Sequence, residues 1–251
     1  MKPFALALLL AISTGCSTST PGGNVAWRVR EMALAPTSAV TLYGPGEKVL
    51  LVMNKQTVQR LLLAHFRITR SAGVQAELLI VEGEEPNAFV GVIEGRRMIA
   101  INIAMVRLIG GNMDEFGALL GHEAAHWAKG HVDSSQSRSS TIQGIGTLIG
   151  VGLGVAGVPA AGVITGLGAD LIQASYSRDD EREADALGID YMLANGFDPQ
   201  AAVRLQEKML RLPGARKVPF LSSHPSGEER IENLKKLINA KQPKEKSGTV
   251  E

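Results

Sequence analysis

The sequence Gly-His-Glu-Ala-Ala-His-Trp at residues 121–127 is the feature that most constrains this chain. On an α-helix, residues i and i+4 share one face, so the imidazoles of His122 and His126 can bind one zinc ion. Glu123 would then stand beside the metal, where its carboxylate can take a proton from a metal-activated water. The short pattern alone should occur by chance in about one chain in a hundred of this length, so the rest of the chain has to complete the site.

Residues 112–130 predict that this motif lies within a helix. Asn112 followed three residues later by Glu115 is a capping-box pattern, and Gly130 is a typical C-terminal cap. Three large apolar residues are spaced by four and seven positions and mark the core-facing side: Phe116, Leu120 and Trp127. The motif therefore lies in the structural context that metal binding by two histidines requires.

A catalytic zinc ion also needs a third protein ligand and one position left open for water. The metzincin arrangement would need a histidine where this chain has Val132, and His131 is one residue out of register. Glu181 and Asp185 lie four residues apart further along the chain and share one face of a predicted helix. We therefore predict Glu181 as the third ligand and Asp185 as a residue that orients a ligand imidazole. The alternative is a solvated, charged helix face, which would be the better interpretation without the upstream motif.

The chain has 251 residues, of which 45% are hydrophobic and 20% charged, and its formal net charge is +1. This length and composition suit one globular domain with a sizeable core. The near-zero net charge, without a Lys/Arg run, argues against a nucleic-acid-binding surface. Cys16 is the single cysteine, so no disulfide bond can form within the chain.

The N-terminal segment predicts export from the cytoplasm. Residues 1–15 have a positive start and an apolar run that is too short to span a bilayer, as in a signal peptide. Small residues before Cys16 resemble a bacterial lipoprotein processing site, which predicts a lipidated Cys16 followed by a flexible tether at residues 16–23. Ser13 stands where an aliphatic residue is usual, so ordinary signal peptidase cleavage stays open. The lipoprotein interpretation predicts a periplasmic protein anchored to the outer membrane.

Hydrophobic periodicity predicts an α+β fold that is mainly helical. Helices are predicted at residues 48–70, 171–193, 199–211 and 227–240. Three short apolar segments with Gly-containing turns predict a small antiparallel β-meander: residues 76–81, 87–93 and 98–103. These elements indicate one domain over residues 24–240 and a polar tail at residues 241–251.

Residues 139–169 form an uncharged, apolar insertion in this domain. Its hydropathy is that of a membrane span, but nine glycines and Pro159 near its middle argue against one straight helix. We favour two short helices that pack on the domain or dip into a membrane interface over a transmembrane span.

The ordered set of motifs resembles the HtpX-like and CAAX-prenyl-protease-type zinc metallopeptidases, a gluzincin family. The His-Glu-x-x-His motif is followed by Glu-Arg-Glu-Ala-Asp-Ala-Leu-Gly at residues 181–188, with Ser-Arg at residues 177–178 as in the periplasmic, Oma-like branch. Asn-Ala-Phe at residues 87–89 is similar to the family's strand along the substrate cleft. The family's His-Pro motif followed by Arg-Ile is matched at residues 224–231. The resemblance covers roughly residues 74–237.

The resemblance implies a gluzincin metalloprotease domain with one zinc ion per chain. It assigns the metal to three ligands: His122, His126 and Glu181. It assigns the chemistry to two residues: Glu123 as general base and His224 as hydrogen-bond donor to the oxyanion. Two more would support the site from outside the ligands: Asp185 and Arg230. An extended substrate would bind by β-addition, with loose sequence specificity, along the cleft strand: Asn87, Ala88 and Phe89.

These implications predict an extracytoplasmic zinc endopeptidase that hydrolyses unfolded or misassembled envelope proteins. Its partners would be these substrates and the membrane, which it would reach through Cys16 and residues 139–169. Two alternatives stay open: a zinc hydrolase for a non-peptide substrate, and a periplasmic chaperone or assembly factor with latent or little proteolysis. Glu123 argues against a structural zinc site, because such a site fills all four positions with protein ligands.

Overall fold

The computed structural model of this chain describes residues 17–19, 25–44, 47–93, 95–132, 176–215, 218–224 and 227–241. These residues form a five-stranded sheet, a separate two-stranded hairpin and helices that pack around them. Several sequence predictions lie outside the described residues: the signal peptide, Cys16, the apolar insertion at residues 139–169 and the tail after Lys241.

The strands lie mostly in the first half of the chain. In chain order they are β1 (Ser17–Ser19), β2 (Val25–Arg28), β3 (Ala39–Tyr43), β4 (Val49–Asn54), β5 (Glu77–Val81), β6 (Ala88–Ile93) and β7 (Arg96–Asn102). The large sheet has the order β1-β2-β5-β7-β6, and β3 pairs with β4. β5 and β7 lie at its centre and are buried over most of their length, as their runs of Leu, Ile, Val and Met require.

The helices of the described residues are α1 (Val29–Leu34), α2 (Lys55–Ser71), α3 (Ile103–Ile109), α4 (Met113–Ala128), α5 (Arg178–Ala194), α6 (Gln200–Leu210), α7 (Pro219–Ser223) and α8 (Glu228–Lys241). α4 is central: it contacts α2, α5, α6 and two strands of the sheet. It is buried from Glu115 to Trp127, which leaves its polar side chains no access to bulk water. The fold class, mainly helical α+β with the motif on a helix, is confirmed.

The capping signals around the motif are confirmed. The side chain of Asn112 accepts hydrogen bonds from the backbone N–H groups of Asp114 and Glu115, and Gly130 follows the helix with φ +67°. The main contact of Glu115 is with a neighbouring helix. Its buried carboxylate accepts a hydrogen bond from Lys208 on α6 at 2.6 Å. α4 is thus fixed at its start by its own cap and by a neighbouring helix.

The helix predicted over residues 48–70 is wrong in its first part. Residues 49–54 form β4, and the helix begins only at Lys55. The apolar run here fits either structure, and pairing with β3 selects the strand, with Thr41 opposite Val52. Asn54 then caps α2 by accepting a hydrogen bond from the N–H of Gln56 at 2.8 Å.

Two β predictions need correction. The three predicted strands exist, but β5 pairs with β7 in parallel and only β6 and β7 form an antiparallel hairpin. A meander would have placed β5 beside β6, whereas β7 lies between them in the sheet. Residues 17–19, expected in the flexible tether, form β1 and pair with β2. Among the described residues no helix is long and apolar enough to cross a membrane.

Candidate active site

The motif residues of α4 form the floor of a buried polar cluster. His122, Glu123 and His126 are 6%, 0% and 0% exposed. The Nε2 atoms of His122 and His126 lie 3.0 Å apart, as the i, i+4 spacing predicts. Two ring nitrogens at this distance need a proton or a cation between them, since two lone pairs would repel.

α5 brings the carboxylates of Glu181 and Asp185 to this floor. The two helices cross closely where Gly121 faces Gly188, and a Cβ on Gly121 would come within 3.0 Å of the Gly188 carbonyl oxygen. The close crossing places Glu181 oxygens 3.4 Å from His122 Nε2 and 3.3 Å from His126 Nε2. Both predicted carboxylates therefore face the motif.

Asp185 contacts the opposite side of the first histidine ring. Its Oδ1 lies 3.0 Å from Nδ1 of His122. An N–H at Nδ1 that donates to this carboxylate leaves Nε2 with its lone pair directed at the cluster centre. This is the orienting contact that the sequence predicted for Asp185.

His224, at the end of α7, closes the cluster from above. Its ring is fully buried and stacks on Phe220 with the ring centres 4.5 Å apart. Its Nδ1 lies 2.9 Å from Glu181 Oε1 and 3.1 Å from His122 Nε2. Its Nε2 points to Glu123, with 3.5 Å to Oε1. His224 thus lies closer to the ligand atoms than a hydrogen-bond donor to substrate alone would need.

Arg230, on α8, is the cation that balances the two α5 carboxylates. Its Nε and Nη2 donate to the two oxygens of Asp185 at 2.9 and 2.7 Å. Its Nη1 lies 2.7 Å from Glu181 Oε2, an ion pair without hydrogen-bond alignment. The planar guanidinium, 8% exposed, can hold both carboxylates at once, which an ammonium group cannot do.

The donor set and its spacing fit a zinc ion. His122, His126, Glu181 and His224 can each offer one ligand atom, and these atoms all lie within 4.8 Å of one another. Ligands of a tetrahedral zinc ion lie about 3.3 Å apart, and the contacts between the imidazole nitrogens and Glu181 are close to that value. Imidazole nitrogen with carboxylate oxygen is the donor combination of catalytic zinc sites. The described residues therefore include a buried cluster that could hold a metal ion.

Burial opposes charge in this cluster, and neighbouring charges outweigh burial in setting the pKa values of His122 and Glu181. Burial alone would lower the pKa of His122, but Glu181 and Asp185 outweigh it and raise this pKa to about 9. Burial would raise the pKa of Glu181, yet the surrounding histidines and Arg230 hold it well below its usual value. The cluster thus favours positive charge beside Glu181, and a divalent metal ion can replace the proton of His122.

Glu123 differs from Glu181, because its pKa is raised and not lowered. Burial raises its pKa, and neither of its carboxylate oxygens makes a hydrogen bond. A buried carboxylate without hydrogen bonds costs stability, so nothing in the packing explains why this position carries an acid. A raised pKa makes the Glu123 carboxylate a better proton acceptor than an exposed carboxylate.

A second set of contacts, around the His126 ring, was not predicted from the sequence. His131 Nδ1 lies 3.0 Å from Nδ1 of His126, and its Nε2 lies 3.1 Å from Oε2 of Glu183. Tyr176 stacks on the His126 ring at 3.7 Å. The spacing of five residues from His126 to His131 is the signal in the sequence that could have indicated this contact, but it does not match the metzincin ligand spacing. These contacts fix the second ring as Asp185 fixes the first.

The predicted substrate strand lies next to the cluster rather than in it. Asn87 directly precedes β6, whose first residues are Ala88 and Phe89. Within the described part of the chain β6 pairs on one side, with β7, and its other edge has no strand partner. Asn102 holds this start in place, accepting the N–H of Asn87 at 3.0 Å. The carbonyl of Pro86 accepts the N–H of Phe220, so β6 begins beside the short helix that ends at His224.

Comparison with known proteins agrees with this geometry. The model of peptidase family M48 matches residues 54–238, which is more than half of the chain and includes every residue of the cluster. The chain belongs to peptidase family M48. The family predicted from the ordered motifs is confirmed by this match and by the relatives described next.

Individual relatives of this M48 chain are metalloproteases by name. Metalloprotease YcaL of Escherichia coli (strain K12) is 32% identical over 138 residues, covering 53% of this chain and 54% of YcaL. Metalloprotease LoiP of the same organism is 24% identical over 165 residues, covering 64% and 66%. The beta-barrel assembly-enhancing protease of that organism is 29% identical over 173 residues, covering 65% and 34%. The chain thus spans between a third and two thirds of the length of these relatives.

Proposed function

We propose that this M48 protein is a zinc-dependent endopeptidase that hydrolyses peptide bonds in unfolded proteins. The buried Glu123 is the observation that carries this proposal. It lies without a hydrogen bond beside a cluster of metal-ligand side chains that two helices and a loop bring together. A strongly perturbed carboxylate next to a metal site is typical of catalytic acids and bases.

In the proposed mechanism the protein residues divide the work between binding and proton transfer. Zinc, held by His122, His126 and Glu181, would lower the pKa of a water molecule and polarise the scissile carbonyl. Glu123 takes the proton of the attacking water and passes it to the leaving amine, for which its raised pKa is suited. His224 donates a hydrogen bond to the oxyanion as negative charge develops there.

The free edge of β6 is the proposed binding place for substrate. An extended peptide that adds to this edge would be held mainly by backbone hydrogen bonds, so the sequence specificity would be loose. The side-chain oxygen of Asn87 is buried and makes no hydrogen bond, which leaves it available to a substrate N–H. Ala88 is fully buried, and Phe89 is the residue of this strand that a substrate side chain can contact.

Removal of the metal tests the proposed activity. Protein stripped with a chelator should cleave unfolded casein at least about a hundredfold more slowly than protein with one zinc ion per chain, since the Lewis acid is lost. Addition of stoichiometric zinc should restore the rate, and magnesium should not, because it binds imidazole poorly. Unchanged cleavage by protein shown to be metal-free by elemental analysis would contradict the proposal.

A chaperone or assembly factor with latent proteolysis is the second candidate, and the position of His224 favours it. A metal bound by all four side chains of the cluster would have no open position for water. His224→Ala separates the candidates in the same casein assay. The oxyanion role predicts a slower rate for this variant, whereas a blocking fourth ligand predicts a faster one.

The proposed location is the bacterial periplasm, with the lipidated Cys16 in the outer membrane and misassembled envelope proteins as substrates. The export signal of the sequence supports it, as does the similarity to a protease named for enhancing beta-barrel assembly. After the membranes are washed with high salt, which removes proteins held by charge alone, Cys16→Ala should be found in the soluble periplasmic fraction of fractionated cells instead of the membrane fraction. Recovery of the variant in the membrane fraction at the wild-type level would rule out anchoring through this residue.

A further inference from the structure

The exposed face of α2 carries apolar and cationic side chains and no carboxylate. The helix contains Lys55 and three arginines but no Asp or Glu over its whole length. Leu63 and Phe66 are 56% and 52% exposed. Three exposed arginines surround them on the same face, within about 120° of arc at 100° per residue: Arg60, Arg67 and Arg70.

A cleft beside the C-terminal end of α2 continues this surface. Its volume is about 790 Å³, and its lining includes Phe66 and Arg70 from α2 and Arg96 and Arg97 from β7. Glu77 is the carboxylate in this lining, and it already accepts hydrogen bonds from Arg96 at 2.9 Å and from Arg28. The cleft therefore presents net positive charge beside an exposed aromatic ring.

The catalytic cluster does not use this surface. Its residues come from α4, α5, α7 and α8, and the hydrogen bonds and ion pairs described for them above involve no arginine of α2 or β7. Arg97 of β7 instead lies over the Trp127 ring, 5.0 Å from its centre. Exposed apolar side chains among charges of one sign favour association with another surface. The surfaces of soluble proteins normally carry positive and negative side chains interspersed. The combination is typical of helices that lie in the plane of a membrane surface, with apolar tips among the acyl chains and arginines on the phosphates.

We propose that the exposed face of α2 and the adjoining cleft dock on the surface of a bilayer that contains anionic lipid. Arginine binds phosphate with two parallel hydrogen bonds, so Arg67, Arg70, Arg96 and Arg97 can each engage a headgroup. A second copy of the chain is a less favourable partner for this surface, because a two-fold contact would bring the arginines of α2 close together, where their charges repel. The docking depends neither on peptidase activity nor on the anchor at Cys16.

Vesicle binding by the full chain tests this inference, with Cys16→Ser to remove lipidation. Binding is compared between vesicles of phosphatidylcholine alone and vesicles of equal parts phosphatidylcholine and phosphatidylglycerol. We expect binding to the anionic vesicles that weakens as salt is added. Since one arginine near an anionic surface contributes about fivefold in affinity, Arg67→Gln with Arg70→Gln should weaken binding by about 25-fold.

Two further variants make the result specific. Leu63→Ser with Phe66→Ser should weaken binding to anionic vesicles at least tenfold, because the apolar tips no longer enter the acyl region. Arg211→Gln with Lys236→Gln removes the same charge from exposed positions elsewhere and should leave binding unchanged. Equal binding to both kinds of vesicle, or wild-type binding by both α2 variants, would overturn the proposal. Unchanged melting temperatures and casein cleavage confirm that the variants fold.

Discussion

Glu123→Gln is expected to slow casein cleavage by about a thousandfold while the protein keeps one zinc ion per chain. Glutamine has nearly the same shape and fills the same buried position, so the ligands on α4 and α5 stay where they are. It cannot accept the proton of the attacking water, and loss of a general base typically costs a factor of about a hundred to ten thousand. Turnover of a quenched unfolded substrate and zinc content by elemental analysis measure the two quantities on one sample.

The same variant should make the metal-free protein more stable, which excludes unfolding as the cause of lost activity. Burial raises the pKa of Glu123 above its unfolded value near 4.5, so the ionised form costs stability that the neutral acid does not. This cost is absent at pH below that value, grows as the pH rises above it, and is complete once the pH exceeds the folded pKa. Glu123→Gln should therefore raise the melting temperature at pH 7 and change it little at pH 4.

Glu232→Gln is the matched control for this prediction. Glu232 lies on the exposed side of α8 and pairs with Lys235 at 3.2 Å, away from the metal ligands. An exposed ion pair of this kind contributes little, so both the rate and the melting temperature should stay at their wild-type values. Equal loss of activity in the two variants, or wild-type turnover by Glu123→Gln, would sink the assignment of Glu123 as the base.

The local signals in the sequence predicted α4 and its motif well. The Asn112 cap, the Gly130 end and the i, i+4 histidines depend on residues within one helix, and the structure places all of them as expected. The predicted start of α2 was wrong because the apolar run at residues 49–53 fits both the helical and the strand period. The pairing of this run with β3 decided between them, and such pairing depends on residues outside the run itself.

Contacts between distant segments were harder to predict than the segments themselves. The parallel pairing of β5 with β7 and the stacking of Tyr176 on His126 follow from the packing of the whole domain. Asp185 was expected to support the site from its spacing to Glu181, whereas Arg230 was expected to do so only from the ordered motifs. Their actual arrangement, with one guanidinium held between two carboxylates, could be read only from the structure.

Arg230→Met is expected to lower the free energy of unfolding of the metal-free protein by about 3–5 kcal/mol. Removal of one partner from a buried ion pair leaves the opposite charge without compensation, and Arg230 compensates both Glu181 and Asp185. Burial would lower the pKa of Arg230, but these carboxylates raise it above its usual value, so the cation is strongly held. Urea unfolding, followed by circular dichroism, measures the loss.

Zinc and a compensating substitution show whether lost charge or lost shape causes the destabilisation of Arg230→Met. A bound zinc ion supplies positive charge at Glu181, so the loss in Arg230→Met should be smaller in zinc-loaded than in metal-free protein. Arg230→Met with Asp185→Leu removes both charges and should be more stable than Arg230→Met alone, because apolar groups can replace a buried ion pair at little cost. Arg211→Met, at an exposed position, should change stability by less than about 0.5 kcal/mol. A loss from Arg230→Met no larger than that of Arg211→Met would mean that Arg230 does not hold the two carboxylates together.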